Sequence, residues 1–430
     1  MPSLSDLFYL AGSNVRNVII GAVLLTVTSS VIGCFTFLRK RALLGDAVAH
    51  SVLPGVCIAF MLSGTKNPLF ILIGAFVTGL ISVYLMEYIT ANSKIKEDTA
   101  IGLILSVFFG IGILLLTIIQ HSGNSAQTGL DSFIFGKAAS LMKEDIYIFG
   151  GTSVALLLAI FLFFKEFTLL SFDRNFAQAA GLPVKSLEFL LTVITVLAVV
   201  VGIQAVGVVL MAAMLITPAA AARFWSDRIS IMVLLAAIIG AFSGITGSII
   251  SYVLPAMPTG PWIVLTVSFI AIFSFIFAPE KGILSKAYQQ KKYQKLILQE
   301  NILKALFHIG ESESSFYSMR TIPEILEKRK LEKSQLMKGL KTLVSKGFVV
   351  KNGSQWGLSE NGKSEGMRVT KLHLLWEMYL TKYLQLAPDH VHDDAETIEH
   401  ILTPEIEKKL EEELNYPFKN LPLPNIPVKE

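Results

Sequence analysis

Long apolar runs alternate with short polar breaks up to about residue 285, and beyond that point Lys and Glu recur throughout. A helix needs about 20 mostly apolar residues to cross a bilayer. The runs at 17–38, 47–64, 68–90, 99–120, 146–164, 188–208, 209–225, 229–254 and 260–278 predict nine such spans. Asp46, His50 and Pro54 interrupt the second, and the sixth and seventh merge around Gly207. Ser132–Met142 is apolar but too short to cross, which suits a re-entrant or interfacial segment.

The pattern changes after residue 285. The basic, polar stretch 286–300 predicts a helix leaving the membrane, with Lys286, Lys291 and Lys292 near anionic headgroups. Amphipathic helices follow at 301–309, 322–328 and 332–346, the last stopped by Gly347. Phe348-Val-Val and Trp356-Gly-Leu flank Asn352-Gly353, a strong hairpin turn. Three helices and a hairpin are the order of a winged helix-turn-helix, here over 301–365. The expected fold is mainly α: a polytopic transmembrane helical bundle of about nine spans (1–285), a basic linker helix (286–300), the winged module, and a helical segment (366–430).

Composition supports a chain of two regimes. Over its 430 residues it is 53% hydrophobic and 16% charged, against about 25% charged in soluble domains. The net charge of +4 says little about partners. Cys34 and Cys57 sit in apolar runs and read as packing residues. Residues 1–14 carry no cleavable signal pattern, so the first span is expected to direct insertion. Arg39-Lys40-Arg41, Lys94 and Lys96, Lys165, Arg174 and Lys185, Arg223 and Arg228, and Lys281 follow alternate spans. By the bias of basic loops to the cytosol, the N-terminus is then outside and the C-terminus inside. Lys137 and Lys143 run against that bias.

Asp46 and His50 are four apart, hence on one helix face. Ionisable groups within a bilayer usually mark a pathway, and a carboxylate with an imidazole suits a divalent first-row metal. An Asp–His pair at the membrane surface is the other reading. Ser171–Pro183, Ala-rich and closing at Gly181, predicts a short helix, either one that docks a partner protein or an ordinary loop helix. His121, Gln204, Met211 and Met214 are further metal candidates or plain packing and loop residues.

In the winged module Ser334, Gln335 and Lys338 open the recognition helix, where such helices meet the major groove. Lys341 and Lys346 are placed to neutralise phosphates; a module used only for protein contact is the alternative. Four of the seven histidines lie in the last segment. His373 and Glu377 share one helix face, and Glu396, Glu399 and His400 another. That set suits Mn, Fe or Zn without thiolates, or is a solvated charged face.

Arg41-Ala-Leu-Leu-Gly-Asp-Ala-Val-Ala-His50, the loop Phe172–Gly181 and Met214-Leu-Ile-Thr-Pro-Ala-Ala-Ala221 together resemble the membrane permeases of zinc, manganese and iron ABC importers, over about 10–280. The resemblance implies a bacterial inner-membrane location, a second permease copy or paralogue, an external metal-binding lipoprotein and a cytosolic ATPase. It also implies that Asp46 and His50 line the metal path. Phe172, Asp173, Ala177, Ala180 and Gly181 would then belong to the helix that couples to the ATPase. No Gly-x4-Gly-Lys-Ser/Thr phosphate loop occurs, so hydrolysis is expected in another subunit and no organic cofactor is expected. An ATP-independent transporter is the less favoured alternative.

Residues 300–430 resemble metal-dependent repressors of the diphtheria-toxin-regulator type, through the Pro-rich end Leu421–Pro427. By position this implies His373, Glu377, His392, Glu396, Glu399 and His400 as metal ligands, dimerisation through the same region, and DNA as a possible partner. Glu396 stands where manganese-type members carry a carboxylate. The family's first-helix ligand falls at Glu300 or Leu303; Leu303 has no donor atom, which puts a complete site in doubt.

Overall fold

The structure is a computed structural model and describes residues 13–41, 43–64, 68–121, 143–254, 258–329, 331–383 and 404–413. It divides into two compact units, Met1–Lys286 and Ala287–Glu430.

In the first unit α1 (Ser13–Leu38) is the central post. The next span is two helices in line, α2 (Leu44–Ser51) and α3 (Leu53–Ser63), with Pro54 in the first turn of α3, where a missing N–H breaks no bond. After them come α4 (Pro68–Asn92), α5 (Glu97–His121), α6 (Lys143–Leu162), α7 (Phe164–Phe172) and α8 (Arg174–Ala179). The unit closes with α9 (Val184–Val206), α10 (Val208–Trp225), α11 (Ile229–Val253) and α12 (Thr259–Phe277). Helices α6, α9, α10 and α11 pack on α1, while α4, α5, α9 and α10 surround α2.

Small residues allow the close approaches that membrane helices rely on. A Cβ on Gly240 of α11 would lie 2.3 Å from Ser30 Oγ. Ser30 and Thr28 donate to carbonyls one turn back, at 2.6 and 2.7 Å, so neither hydroxyl is left unpaired.

Among the described residues seven helices are long and apolar enough to cross a membrane, or eight if α6 and α7, bent by 68°, form one span. The sequence reading ended that run at residue 164, at the charged pair Lys165-Glu166. The helix resumes because Phe164, Phe167 and Leu170 continue at helical spacing; Phe164 and Phe167 set their rings 5.9 and 6.0 Å from that of Phe35. The run at 209–225 is a shorter apolar helix, Met211–Trp225, parted from α9 at Gly207, whose φ of 89° ends α9. Ser132–Met142 and Lys137 lie outside the described residues.

The basic loops gather at one end of this unit. Arg39 pairs with Glu188 at the start of α9, and Arg41 with Glu87 and Glu97 on either side of the α4–α5 turn. Cys34, Ala222 and Met232 share one cluster, which brings the end of α10 level with the end of α1. Asp227 joins Arg223 and Lys281, adding the α12 end.

The second unit begins within α13 (Ile283–Ser312), a 30-residue helix. The linker stretch and the first helix of the expected winged module are therefore one element: no Gly or Pro occurs between Ile283 and Gly310. Helices α14 (Ile322–Lys328) and α15 (Lys333–Ser345) and the hairpin β1 (Val349–Asn352) and β2 (Gln355–Leu358) follow in the expected order. Gly353 takes the left-handed turn position with φ 58°, and Arg320 and Trp356 exchange two backbone hydrogen bonds of 2.8 Å. Ile302, Leu306, Leu336, Leu340 and Trp356 share one core. Gly339 weakens a helix by about 1 kcal/mol relative to Ala, but here it faces α13, where a Cβ would lie 2.3 Å from Ile302 Cδ1.

Helices α16 (Glu360–Tyr383) and α17 (Pro404–Glu413) complete the description. Gly362 lets α16 rest on the hairpin, since a Cβ there would lie 1.8 Å from the Phe348 carbonyl oxygen. Gly362→Ala is expected to destabilise this unit by about 2 kcal/mol. Proteolysis of the full-length variant should then cut the tail sooner; unchanged resistance counts against this packing.

Candidate functional site

Asp46 and His50 stand one turn apart on α2, with Oδ1 of Asp46 3.6 Å from Nε2 of His50. Two metal–ligand bonds of roughly 2.1 Å meeting at about 115° would set their donor atoms about 3.5 Å apart, so the spacing suits one shared ion. Both side chains are partly open, 38% for Asp46 and 23% for His50. Phe109 of α5 meets the imidazole edge-on, with centroids 5.1 Å apart. Nδ1 of His50 and Oγ of Ser51 are buried without a protein partner. Orphaned buried polar atoms cost roughly 1–3 kcal/mol each, so this turn of α2 is polar beyond what its packing needs.

The depth of α2 is set by Leu215 of α10. Its carbonyl oxygen would lie 1.9 Å from a Cβ on Gly33, and its Cδ1 2.5 Å from a Cβ on Gly45. Leu215 thus sits between α1 and α2, next to Asp46, only because both positions are glycine.

The other first-unit candidates separate clearly. Met211 and Met214 are buried core residues, with Met211 Sδ 3.8 Å from Ser29 Oγ. His121 ends α5 in the open, its Nδ1 2.8 Å from the Thr117 carbonyl. The Gln204 side chain lies outside the described residues. Cys34 and Cys57 are buried free thiols.

The short helix expected at 172–181 is present as α8. Asp173 caps it, accepting from Phe176 N–H at 2.9 Å, and Gly181 (φ 83°) closes it while Leu182 N–H reaches back to the Ala177 carbonyl. Ala177 is fully buried, whereas Phe172, Phe176 and Ala180 are exposed, so the helix packs by Ala177 and leaves apolar rings facing outward. Asp173→Ala should cost this helix about 1 kcal/mol. The check is thermal unfolding of the detergent-solubilised variant, whose midpoint should fall; an unchanged midpoint would dismiss the cap.

Sequence reasoning missed Glu188. It receives Arg39 Nη2 at 2.9 Å and Arg174 of α8 at 3.0 and 3.2 Å. It stood at the start of the span expected at 188–208, and nothing in the sequence linked it to α1 or α8.

In the second unit Ser334, Gln335, Lys338 and Lys341 are exposed on α15. Lys346 donates to Gln299 at 2.6 Å, a neutral partner that leaves its charge in place. His373 is buried on α16. The side chain of Glu377, and all of His392, Glu396, Glu399 and His400, lie outside the described residues. Leu303 is buried in the core. His308, missed from sequence, pairs with Glu311 at 3.4 Å; burial first, then the charges of Lys304 and His373, hold its pKa below the usual imidazole value.

Comparison with known proteins places these features in a family. The ABC 3 transport family matches residues 12–278, and the iron dependent repressor metal binding and dimerisation domain matches 359–424. The manganese transport system membrane protein MntC of Bacillus subtilis (strain 168) is 42% identical over 376 residues, 87% of this chain and 86% of its own length. The zinc transport system membrane protein TroC of Treponema pallidum (strain Nichols) is 41% identical over 65% of this chain and 94% of its own length. The alignment to the first runs too long to fit in 12–278, so that relative shares part of the tail. The solved structure of PsaBC from Streptococcus pneumoniae superposes with TM-score 0.59 at 34% identity, covering 67% of this chain and 100% of that one. On these matches and its membrane-length helices, the chain belongs to the ABC 3 transport family, as a multi-pass membrane permease with an iron-dependent-repressor-like domain at its C-terminal end.

Proposed function

We propose that this chain is the permease of an importer that moves a divalent first-row metal, manganese or zinc before iron, across a bacterial inner membrane. The observation that carries the reading is the 3.6 Å approach of Asp46 Oδ1 and His50 Nε2 on a spanning helix. A carboxylate open on such a helix costs a few kcal/mol if it faces lipid, so a second permease copy or paralogue covers it and completes the path. The metal enters from an external metal-binding lipoprotein. It exchanges water for the carboxylate and the neutral imidazole, then leaves toward the basic end of the bundle. That end is cytosolic, the N-terminus is outside, and a separate ATPase docks on Phe172, Phe176 and the rest of α8. Relatives named for manganese and zinc support this choice of metals.

The tail is read as a metal-responsive regulator of the same permease, with His373 and Glu377 among its ligands and His392, Glu396, Glu399 and His400 as the rest. The match of residues 359–424 to a metal binding and dimerisation domain supports this reading. A second reading, DNA binding by the tail, draws on the exposed Ser334, Gln335 and Lys338. Proteoliposomes holding the chain with its ATPase and lipoprotein should accumulate radioactive manganese or zinc only with ATP. Accumulation of neither would sink the importer reading. A gel shift of residues 286–430 with metal, at fixed salt, tests the DNA reading, and no shifted band ends it.

A further inference from the structure

A cavity of about 600 Å³ lies at the basic end of the first unit, lined by Arg39, Arg41, Leu44, Glu97, Arg174 and Glu188 among others. Two ion-pair clusters share its wall. On one side Glu188 takes Arg39 of the turn after α1 and Arg174 of α8 on the same carboxylate. On the other, Arg41 spans Glu87 and Glu97, at 2.8 and 2.9 Å, tying that turn to α4 and α5. Lys40 between the two arginines has a left-handed backbone with φ 60°, uncommon away from glycine. This turn sends the neighbouring guanidiniums to different partners. Three residues past Arg41, Leu44 opens α2, and Asp46 follows in its first turn.

The contacts lead from α8 through Arg174 and Glu188 to Arg39, and the carbonyl of Arg41, two residues on, accepts from the Leu44 N–H that opens α2 at 3.1 Å. We propose that Glu188 is the joint through which displacement of α8 reaches the Asp46–His50 helix, and that the cavity between the two ion-pair clusters is the inner vestibule which this displacement opens. The inference rests on the reading of α8 as the ATPase-docking element and of Asp46–His50 as the metal path, and it adds the positioning residues that join them. The burial of the two pairs fits the task. Arg39 is 10% exposed and Glu188 20%, a partly buried pair inside the bundle, while Arg174 is 60% exposed on α8. A staple needed only for folding would gain little from sharing one carboxylate between a shielded arginine and an open one.

The test uses the assembled importer in proteoliposomes and reads metal taken up per ATP hydrolysed. Glu188→Gln should lower that ratio roughly tenfold, the size of an ordinary coupling free energy, while ATP hydrolysis and ATPase retention persist. Arg174→Ala, at an exposed position that does not endanger folding, should lower the ratio in the same direction, and Arg174→Lys should restore most of it. Arg39→Ala combined with Glu188→Gln should be no worse than Glu188→Gln alone, since both cut one connection. An unchanged ratio in Glu188→Gln and Arg174→Ala overturns the proposal. So does a loss of protein stability in Glu188→Gln with the ratio intact, which is the mark of a staple. Failure of the parent reading has its own signature: Asp46→Ala would then pump normally, and the joint would fall with it.

Discussion

Cells carrying Asp46→Ala or His50→Ala should accumulate manganese or zinc at a rate reduced by roughly 100-fold, with the permease still present in the membrane. Losing a group that merely supports a ligand typically costs 10–100-fold in metal affinity; losing a ligand itself belongs at or beyond the upper end. The geometry makes the two residues interdependent. Their donor atoms stand 3.6 Å apart on one turn of α2, and either side chain alone supplies only part of the coordination a dehydrated cation needs. The double variant should therefore be no worse than either single one, because each already removes the shared seat. His50→Ala also empties the edge contact with Phe109, so His50→Gln, which keeps bulk and a hydrogen-bonding group, is the sharper probe. Wild-type uptake in His50→Gln would mean that the imidazole holds no metal. Membrane levels of each variant, measured alongside uptake, separate lost transport from lost protein.

Gly33→Ala is the second change with a large expected effect, though it touches no candidate ligand. Its Cβ would lie 1.9 Å from the Leu215 carbonyl oxygen and 2.8 Å from the carbonyl carbon, both backbone atoms of a packed helix. Neither can swing aside like the end of a side chain, so α1 and α10 must move apart. Overpacking of a tight core costs roughly 1–3 kcal/mol and more where the backbone must shift; a loss of about 3 kcal/mol is expected here. The consequence extends to the metal pair, because the same Leu215 lies over Gly45 beside Asp46. Thermal unfolding of the detergent-solubilised variant should show a clear drop in midpoint, and the remaining folded protein should transport poorly. Gly102→Ala, with nothing within 4 Å of its Cβ, serves as the neutral comparison. Equal stability of Gly33→Ala and Gly102→Ala would show that α1 and α10 do not approach as described.

Much of this arrangement was legible in the chain, for physical reasons that can be named. Apolar run length revealed the membrane half, and four-residue spacing revealed that Asp46 and His50 share a face. Asp173 and Gly181 are cap residues whose chemistry fixes the ends of α8 locally. The hairpin was legible from Asn352-Gly353, because a left-handed turn position leaves few alternatives. What escaped were contacts between elements distant in sequence. Glu188 looked like one acid at a helix start, and only folding brings Arg39 and Arg174 to it. The bend at Phe163 escaped because Lys165-Glu166 looked like the end of a span, although the apolar side chains continue beyond them. The continuity of α13 escaped because its first half is polar on all sides, and a polar stretch resembles a linker until its packed second half is seen. The split between α9 and α10 lay between: Gly207 marked the place, but the apolar pattern on both sides hid how short the second helix is.

The account stands or falls on what occupies the space between Asp46 and His50. The most direct measurement is anomalous scattering from manganese or zinc in the assembled importer, held with ATP hydrolysis blocked. The account predicts a metal peak within about 2 Å of both Asp46 Oδ1 and His50 Nε2, lost in Asp46→Ala. A peak bound elsewhere along the path, with Asp46 and His50 left to each other, would contradict it.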